Sequence, residues 1–251
     1  RELTLRGRGL GATVVAGAVV GLVVSTIAVR DLAADILMRE GSLRLKLGDA
    51  AAAQTLLEKS LRLEFAPHQT YFFLGMAQAQ QGNIQAAFDS FTRCRTRFLD
   101  ENTYLIYAEL ASNLGKTEEA DEALDILLAS RPSPDVKDRA RYVQAATSLR
   151  KGDNLAAVQE LESLVADSPN FELGGMLYGS VLAAQGSRDR ARQEYQRVLQ
   201  VIDRKLAAAE KTLATKTRMT ATEYSELRTS INALRAERDT VNDRMKALGT
   251  P

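Results

Sequence analysis

A glycine followed five residues later by an alanine recurs five times along this chain: Gly48 and Ala53, Gly82 and Ala87, Gly115 and Ala120, Gly152 and Ala157, Gly186 and Ala191. The glycines are spaced by 34, 33, 37 and 34 residues, and self-similarity at such a period means stacked copies of one small structural unit. Seven residues before each glycine stands Gly41, Gly75, Ala108, Ala145 or Gly179, and seven after each alanine stands Ser60, Cys94, Leu127, Leu164 or Val198. In the first unit Ala53, Leu56, Leu57, Ser60, Leu61 and Leu63 recur with helical spacing, while Gln54, Glu58, Lys59 and Arg62 fill the other face. The glycines tolerate the left-handed conformation that ends a helix, so the predicted unit is a pair of helices about a tight turn. No run alternates with period two for long enough to make a sheet, and the expected class is all-α. One hairpin cannot bury its own apolar face, so the units must stack on one another.

At these residues the chain resembles the tetratricopeptide repeat family, whose unit is a helical hairpin of this length, with small residues at these positions and often a proline near its end. Pro132 and Pro169 match that proline, Pro67 is displaced by two residues, and the second and fifth units lack it. The resemblance implies an α-solenoid of about five helical hairpins over residues 32–200 that binds protein partners and is not itself an enzyme. It also implies a concave face lined by the first helix of each pair. On that face Phe72, Met76, Leu105, Glu109, Asn113, Tyr142, Ala146, Arg150, Met176 and Ser180 are the expected contacts for an extended peptide or a partner helix. Only Lys46 and Arg150 are placed to make the basic clamp of some chaperone-binding members, so an acidic carboxy-terminal tail is not the expected ligand.

Residues 10–29 form twenty positions without a charge. A helix of that length runs about 30 Å, enough to cross a bilayer core. The expected element is a retained single-pass transmembrane helix; the rivals are a cleaved signal peptide, whose apolar region is shorter, and a buried helix of a soluble domain. Residues 1–9 carry Arg1, Arg6 and Arg8 against Glu2, whereas Arg30 and Arg39 beyond the stretch are outnumbered by Asp31, Asp35 and Glu40. The positive-inside tendency therefore puts the amino end in the cytoplasm and the repeats in the periplasm of a bacterial inner membrane. Thr13, Gly17, Gly21 and Ser25 recur every four residues, a spacing that either lets another membrane helix approach closely or reflects how common glycine and alanine are in spans. The chain starts on Arg1 rather than methionine, which leaves room for preceding residues.

Beyond the fifth unit, residues 201–251 read as a long, coiled-coil-like helical hairpin. Leu199, Ile202, Leu206, Ala209 and Leu213 follow spacings of three and four, as do Tyr224, Leu227, Ile231, Leu234, Val241, Met245 and Leu248, with Arg238 interrupting. Thr220 with Glu223 fits a capping box that opens the second helix. Such a hairpin either caps the stack or adds a partner contact.

Chemistry-bearing residues are sparse: one histidine, one cysteine and no tryptophan. His68 beside Pro67 suits a turn or cap, and Cys94 falls in the small buried slot filled by Ser60 one unit earlier. Neither a metal site nor a phosphate-cradling loop is expected, so no cofactor, metal or small-molecule substrate follows. With 33 basic and 32 acidic side chains and a net charge of +1, a general nucleic-acid binder is not expected either. The expected function is a membrane-anchored scaffold or accessory subunit that assembles a larger membrane complex. The alternatives are the carboxy-terminal tail of a multi-span glycan polymerase or ligase of the O-antigen ligase type, which the layout of a span followed by repeats also resembles, and a periplasmic chaperone.

Overall fold

The computed structural model describes residues 2–63, 67–95, 100–216 and 218–249, with side chains from residue 16 onward. The side chains of Thr13 and of the flanking Arg1, Glu2, Arg6 and Arg8 lie outside that set. The described residues form eleven helices and no strand: α1 (Glu2–Lys46), α2 (Ala50–Leu61), α3 (His68–Gln80), α4 (Ile84–Cys94), α5 (Glu101–Asn113), α6 (Thr117–Ala129), α7 (Pro134–Lys151), α8 (Asn154–Asp167), α9 (Glu172–Ala184), α10 (Arg188–Thr215) and α11 (Ala221–Ala247). They make two compact units, residues 1–116 and 117–251.

The hairpin turns follow from the repeating glycines, all five of which take φ between 73° and 82°. A side chain there would strain the left-handed backbone, and after Gly48 and Gly152 an aspartate caps the next helix. After Gly152, for example, the Asp153 carboxylate accepts the amide of Ala156 at 3.0 Å. The small residues before the turns serve a different purpose. A Cβ added to Gly75 would lie 2.6 Å from Cε2 of Phe91, and one on Gly179 would lie 2.7 Å from Cε1 of Tyr195. The two helices of a hairpin therefore approach with an aromatic ring laid on bare backbone. The slots after the turns, Ser60, Cys94, Leu127, Leu164 and Val198, are all buried, and the Ser60 hydroxyl donates to the carbonyl of Ala34 at 2.8 Å.

In residues 1–116 the core runs from Met38, Ala53, Leu57 and Leu74 of the first two hairpins to the stacked rings of Phe88 and Tyr107, whose centroids are 4.9 Å apart. In residues 117–251 it gathers Leu161, Tyr178, Leu182, Tyr195, Val198 and Ile202.

Two of the segment edges expected from sequence fall inside continuous helices. α1 passes without a break from the apolar stretch into the first hairpin, because residues 22–40 contain neither glycine nor proline and Arg30 and Asp31 are tolerated in a helix. α10 likewise runs through residue 200. The carboxy-terminal hairpin opens on the expected capping box: the Glu223 amide donates to Thr220 Oγ1 at 3.2 Å, and the Thr220 amide donates to Glu223 Oε2 at 2.8 Å. α11 packs along α10 with Ile231 and Val241 buried, and Val241, Met245 and Leu248 close onto the core below α9. Arg244 donates to Ser180 at 2.6 Å, and Glu237 lies beside Glu172, so α11 runs parallel to α9 where the first helix of a further hairpin would lie.

Candidate partner-binding groove

Unit by unit, the structure distributes the ten predicted contact residues over four helices with different surroundings. Phe72 and Met76 of α3 face α1 and, with Ser42, Leu45, Lys46, Phe73, Ala79 and Gln80, line a cavity of about 550 Å³. The helical spacing of Leu45 on α1 and of Phe72 and Met76 on α3 makes its wall apolar, while Lys46 adds one cation. Phe72 is held edge-on against Phe73 and Phe91, with centroids 5.5 and 5.7 Å away. Because Phe91 also lies on Gly75, the close approach inside the second hairpin sets where the Phe72 ring stands in the cavity.

On α5, Glu109 is half-buried and Asn113 exposed, whereas Leu105 is completely buried. Seven of the thirteen residues of α5 are buried, so this helix is covered on more than one face, and Leu105 belongs to the core rather than to an accessible surface.

In residues 117–251, Tyr142 and Ala146 of α7 are half-buried and Arg150 is exposed, with its guanidinium donating to the Ala146 carbonyl at 3.3 Å. Tyr142 packs edge-on against Phe171 at 6.3 Å. Met176 and Ser180 of α9 are covered from within the chain. Met176 packs against the core that α11 completes, and Ser180 accepts from Arg244 while sharing a 3.1 Å hydrogen bond with the Tyr195 hydroxyl.

Sequence spacing missed one site. Arg141 sits in a cleft of about 490 Å³ lined by Leu128, Arg131, Pro132, Lys137, Gln144 and Glu160. Its side chain is only 11% exposed and donates to Glu160 at 2.6 Å, Asp167 at 2.9 Å and Ser163 at 2.8 Å. Burial opposes its charge, but the carboxylates of Glu160 and Asp167 outweigh that and raise its pKa further. These partners lie 19 to 26 residues away, so nothing in the local pattern marks them. The histidine and the cysteine are in structural positions. His68 opens α3, and Cys94 is fully buried, with its thiol pushed up to about 11 by burial and then by Asp100.

A family profile for the tetratricopeptide repeat-like domain matches residues 68–222, and a second, for the tetratricopeptide repeat, matches residues 38–96. The chain belongs to the tetratricopeptide repeat family. Its fold is similar to MamA from Desulfovibrio magneticus RS-1 (TM-score 0.58, 16% identity, 67% of this chain and 94% of that one). It is also similar to Pseudomonas aeruginosa PilF (TM-score 0.55, 15% identity, 86% of this chain and 99% of that one). A third structure, YrrB, described as a tetratricopeptide repeat protein with an unusual peptide-binding site, matches with a TM-score of 0.52 at 14% identity over 66% of this chain and 84% of that one. At these identities the likeness establishes the fold alone. No curated protein matches the sequence. Membership makes this a protein–protein interaction scaffold of a family whose folds are generally non-catalytic. Among the described residues one helix, α1, is long and apolar enough near the chain's amino end to be a membrane span or a signal sequence.

Proposed function

We propose that this chain is a membrane-anchored scaffold or accessory subunit that grips a protein partner in the cavity between α1 and α3 and thereby helps assemble a membrane complex. The observation that carries this reading is the cavity itself. It is about 550 Å³, walled by Leu45, Phe72, Phe73 and Met76, with one lysine at its edge, which suits a bulky apolar anchor residue on a peptide or helix. Residues 10–29 act as the anchor, with the amino end cytoplasmic and the repeats outside the membrane. Anchoring confines the search for partners to the membrane surface and raises their effective concentration. Glu109, Asn113, Tyr142, Ala146 and Arg150 extend the contact surface on their own helices. Met176 and Ser180 serve the carboxy-terminal cap. The peptide-binding site named for YrrB is consistent with this use of the fold.

The test is purification of the full chain from its native membranes in mild detergent, with mass analysis of the intact assembly. Stoichiometric protein companions are expected with the native chain. They should be lost from a Phe72→Ala/Met76→Ala variant whose helical circular dichroism is unchanged. Retention of every companion by that variant overturns the cavity as the grip. Extraction by alkaline carbonate reads the anchor separately: release of the native chain overturns the span.

A further inference from the structure

α1 is apolar on two opposite sides. Ala34, Met38, Gly41 and Leu45 pack one side into the first hairpin, and a Cβ added to Gly41 would meet Leu57 at 2.8 Å. Leu32, Ile36 and Leu43 fall within about 40° of arc on the side directly opposite, and Leu47, whose amide donates to the Leu43 carbonyl just past the end of α1, extends that side. They are 61, 59, 49 and 70% exposed. A terminal helix of a repeat array ordinarily turns a polar face outward, and this one does not. The four side chains leave roughly 400 Å² of apolar surface open, as large as the largest patch of a typical monomer. They begin beyond Arg30 and Asp31 and extend about 22 Å along the axis past them, so a bilayer around residues 10–29 does not cover them.

We infer that this outward face of α1 is the contact through which two copies of the chain lie parallel to each other. The occupant has to be a straight helix that keeps company with α1 over its whole exposed length, because Gly21, Ser25 and Val29 continue the same arc into the apolar stretch. A second copy supplies such a helix with the same stripe in the same register. The glycines of that stretch leave space for it: a Cβ on Gly17 or Gly21 would touch nothing in this chain, unlike those on Gly41 and Gly75. Charge does not oppose the pairing. Arg39 is drawn along its own helix to Asp35 at 2.8 Å and Arg44 to Glu40 at 3.0 Å, so each flank of the stripe is already neutralised. The four residues provide about half of the roughly 800 Å² per partner that a stable interface buries, and close packing of the two apolar stretches adds to it in this arrangement.

The experiment is disulfide trapping of the full chain in its native membranes. Ile36→Cys and Leu43→Cys are introduced singly, with Lys59→Cys on the exposed side of α2 as the comparison; Cys94 is fully buried and does not compete. Mild oxidation should give a product of twice the chain mass at positions 36 and 43 about tenfold or more faster than at 59, as for a pair held at high effective concentration. Equal rates at all three positions, or adducts formed only with a different protein, overturn the inference. A second variant, Leu32→Ser/Ile36→Ser/Leu43→Ser/Leu47→Ser, changes only exposed positions. Its intact mass in mild detergent should be that of one copy, and a retained dimer overturns the inference as well. Both readings are independent of carbonate extraction, so failure of the membrane anchor and failure of this contact are distinguishable.

Discussion

Gly75→Ala adds a single carbon at the point where α3 rests on Phe91. The new Cβ would lie 2.6 and 2.7 Å from Cε2 and Cδ2 of that ring and 3.4 Å from the Ala87 carbonyl oxygen, so the ring must move. Phe91 is fully buried and touches Phe72, which leaves it little room to do so. Replacing glycine by alanine inside a helix is worth about 0.5–1 kcal/mol in the stabilising direction. Overpacking a tight core costs about 1–3 kcal/mol. Overpacking outweighs it, and the net expectation is a loss of up to about 2.5 kcal/mol. Ala in place of Phe91 removes both ring carbons that collide, so in a Phe91→Ala background the same Gly75→Ala change should be neutral or stabilising. Urea midpoints of the four chains, followed by helical circular dichroism, complete the double-mutant cycle. If Gly75→Ala raises the midpoint when Phe91 is present, the close approach does not constrain this hairpin and the reasoning fails.

Arg141→Ala leaves Glu160 facing a partly closed cleft without its cation and should cost about 1.5–3 kcal/mol. Arg235→Ala, at its pair with Glu210 that is exposed on both sides, should cost less than about 1 kcal/mol, and the two urea midpoints compare them. Glu223 is held at about 2, first by the Thr220 amide and then by Lys216. Its folded value lies below the ordinary 4.5, so its contribution is complete above 4.5 and disappears as the pH falls toward 2. Protection factors at the start of α11, that is, exchange corrected for its intrinsic pH dependence, should fall across that window, and Glu223→Gln should abolish this pH dependence of protection. Cys94 should resist a thiol reagent at pH 8 in the folded chain and react at an ordinary rate in urea, because burial suppresses its thiolate. Equal rates in both conditions would contradict its place in the core.

The hairpins were legible in the sequence because they depend on short-range facts. A glycine that must take positive φ, an alanine five residues on and a small residue seven before it are local constraints, and all recur at the expected places. Thr220 and Glu223 were legible for the same reason, since a capping box closes within four residues. The limits of the elements were less so. Arg30 and Asp31 mark a change in polarity, but polarity does not end a helix, and α1 continues through them. Inner-face positions transferred from the repeat pattern stay open to a partner only where a helix keeps one face free. Phe72 and Met76 of α3 line an open cavity, whereas Leu105 of α5 is enclosed and Ser180 of α9 is reached by a residue 64 positions downstream. Arg141 and its two carboxylates meet only after two helices have folded against each other, and no spacing rule encodes that.

The uninterrupted course of α1 also gives its cavity an address relative to whatever holds the apolar stretch. Leu45 and Lys46 sit on the same rigid rod as Val29, about 24 Å farther along its axis. With the apolar stretch in the bilayer as proposed, both the height of the cavity above the membrane and the compass direction in which it opens are fixed by the number of residues between them. One residue inserted near Arg30 would raise the cavity by only about 1.5 Å, yet would swing its mouth by about 100°. A partner bound to the same membrane would then find an intact cavity pointing away from it.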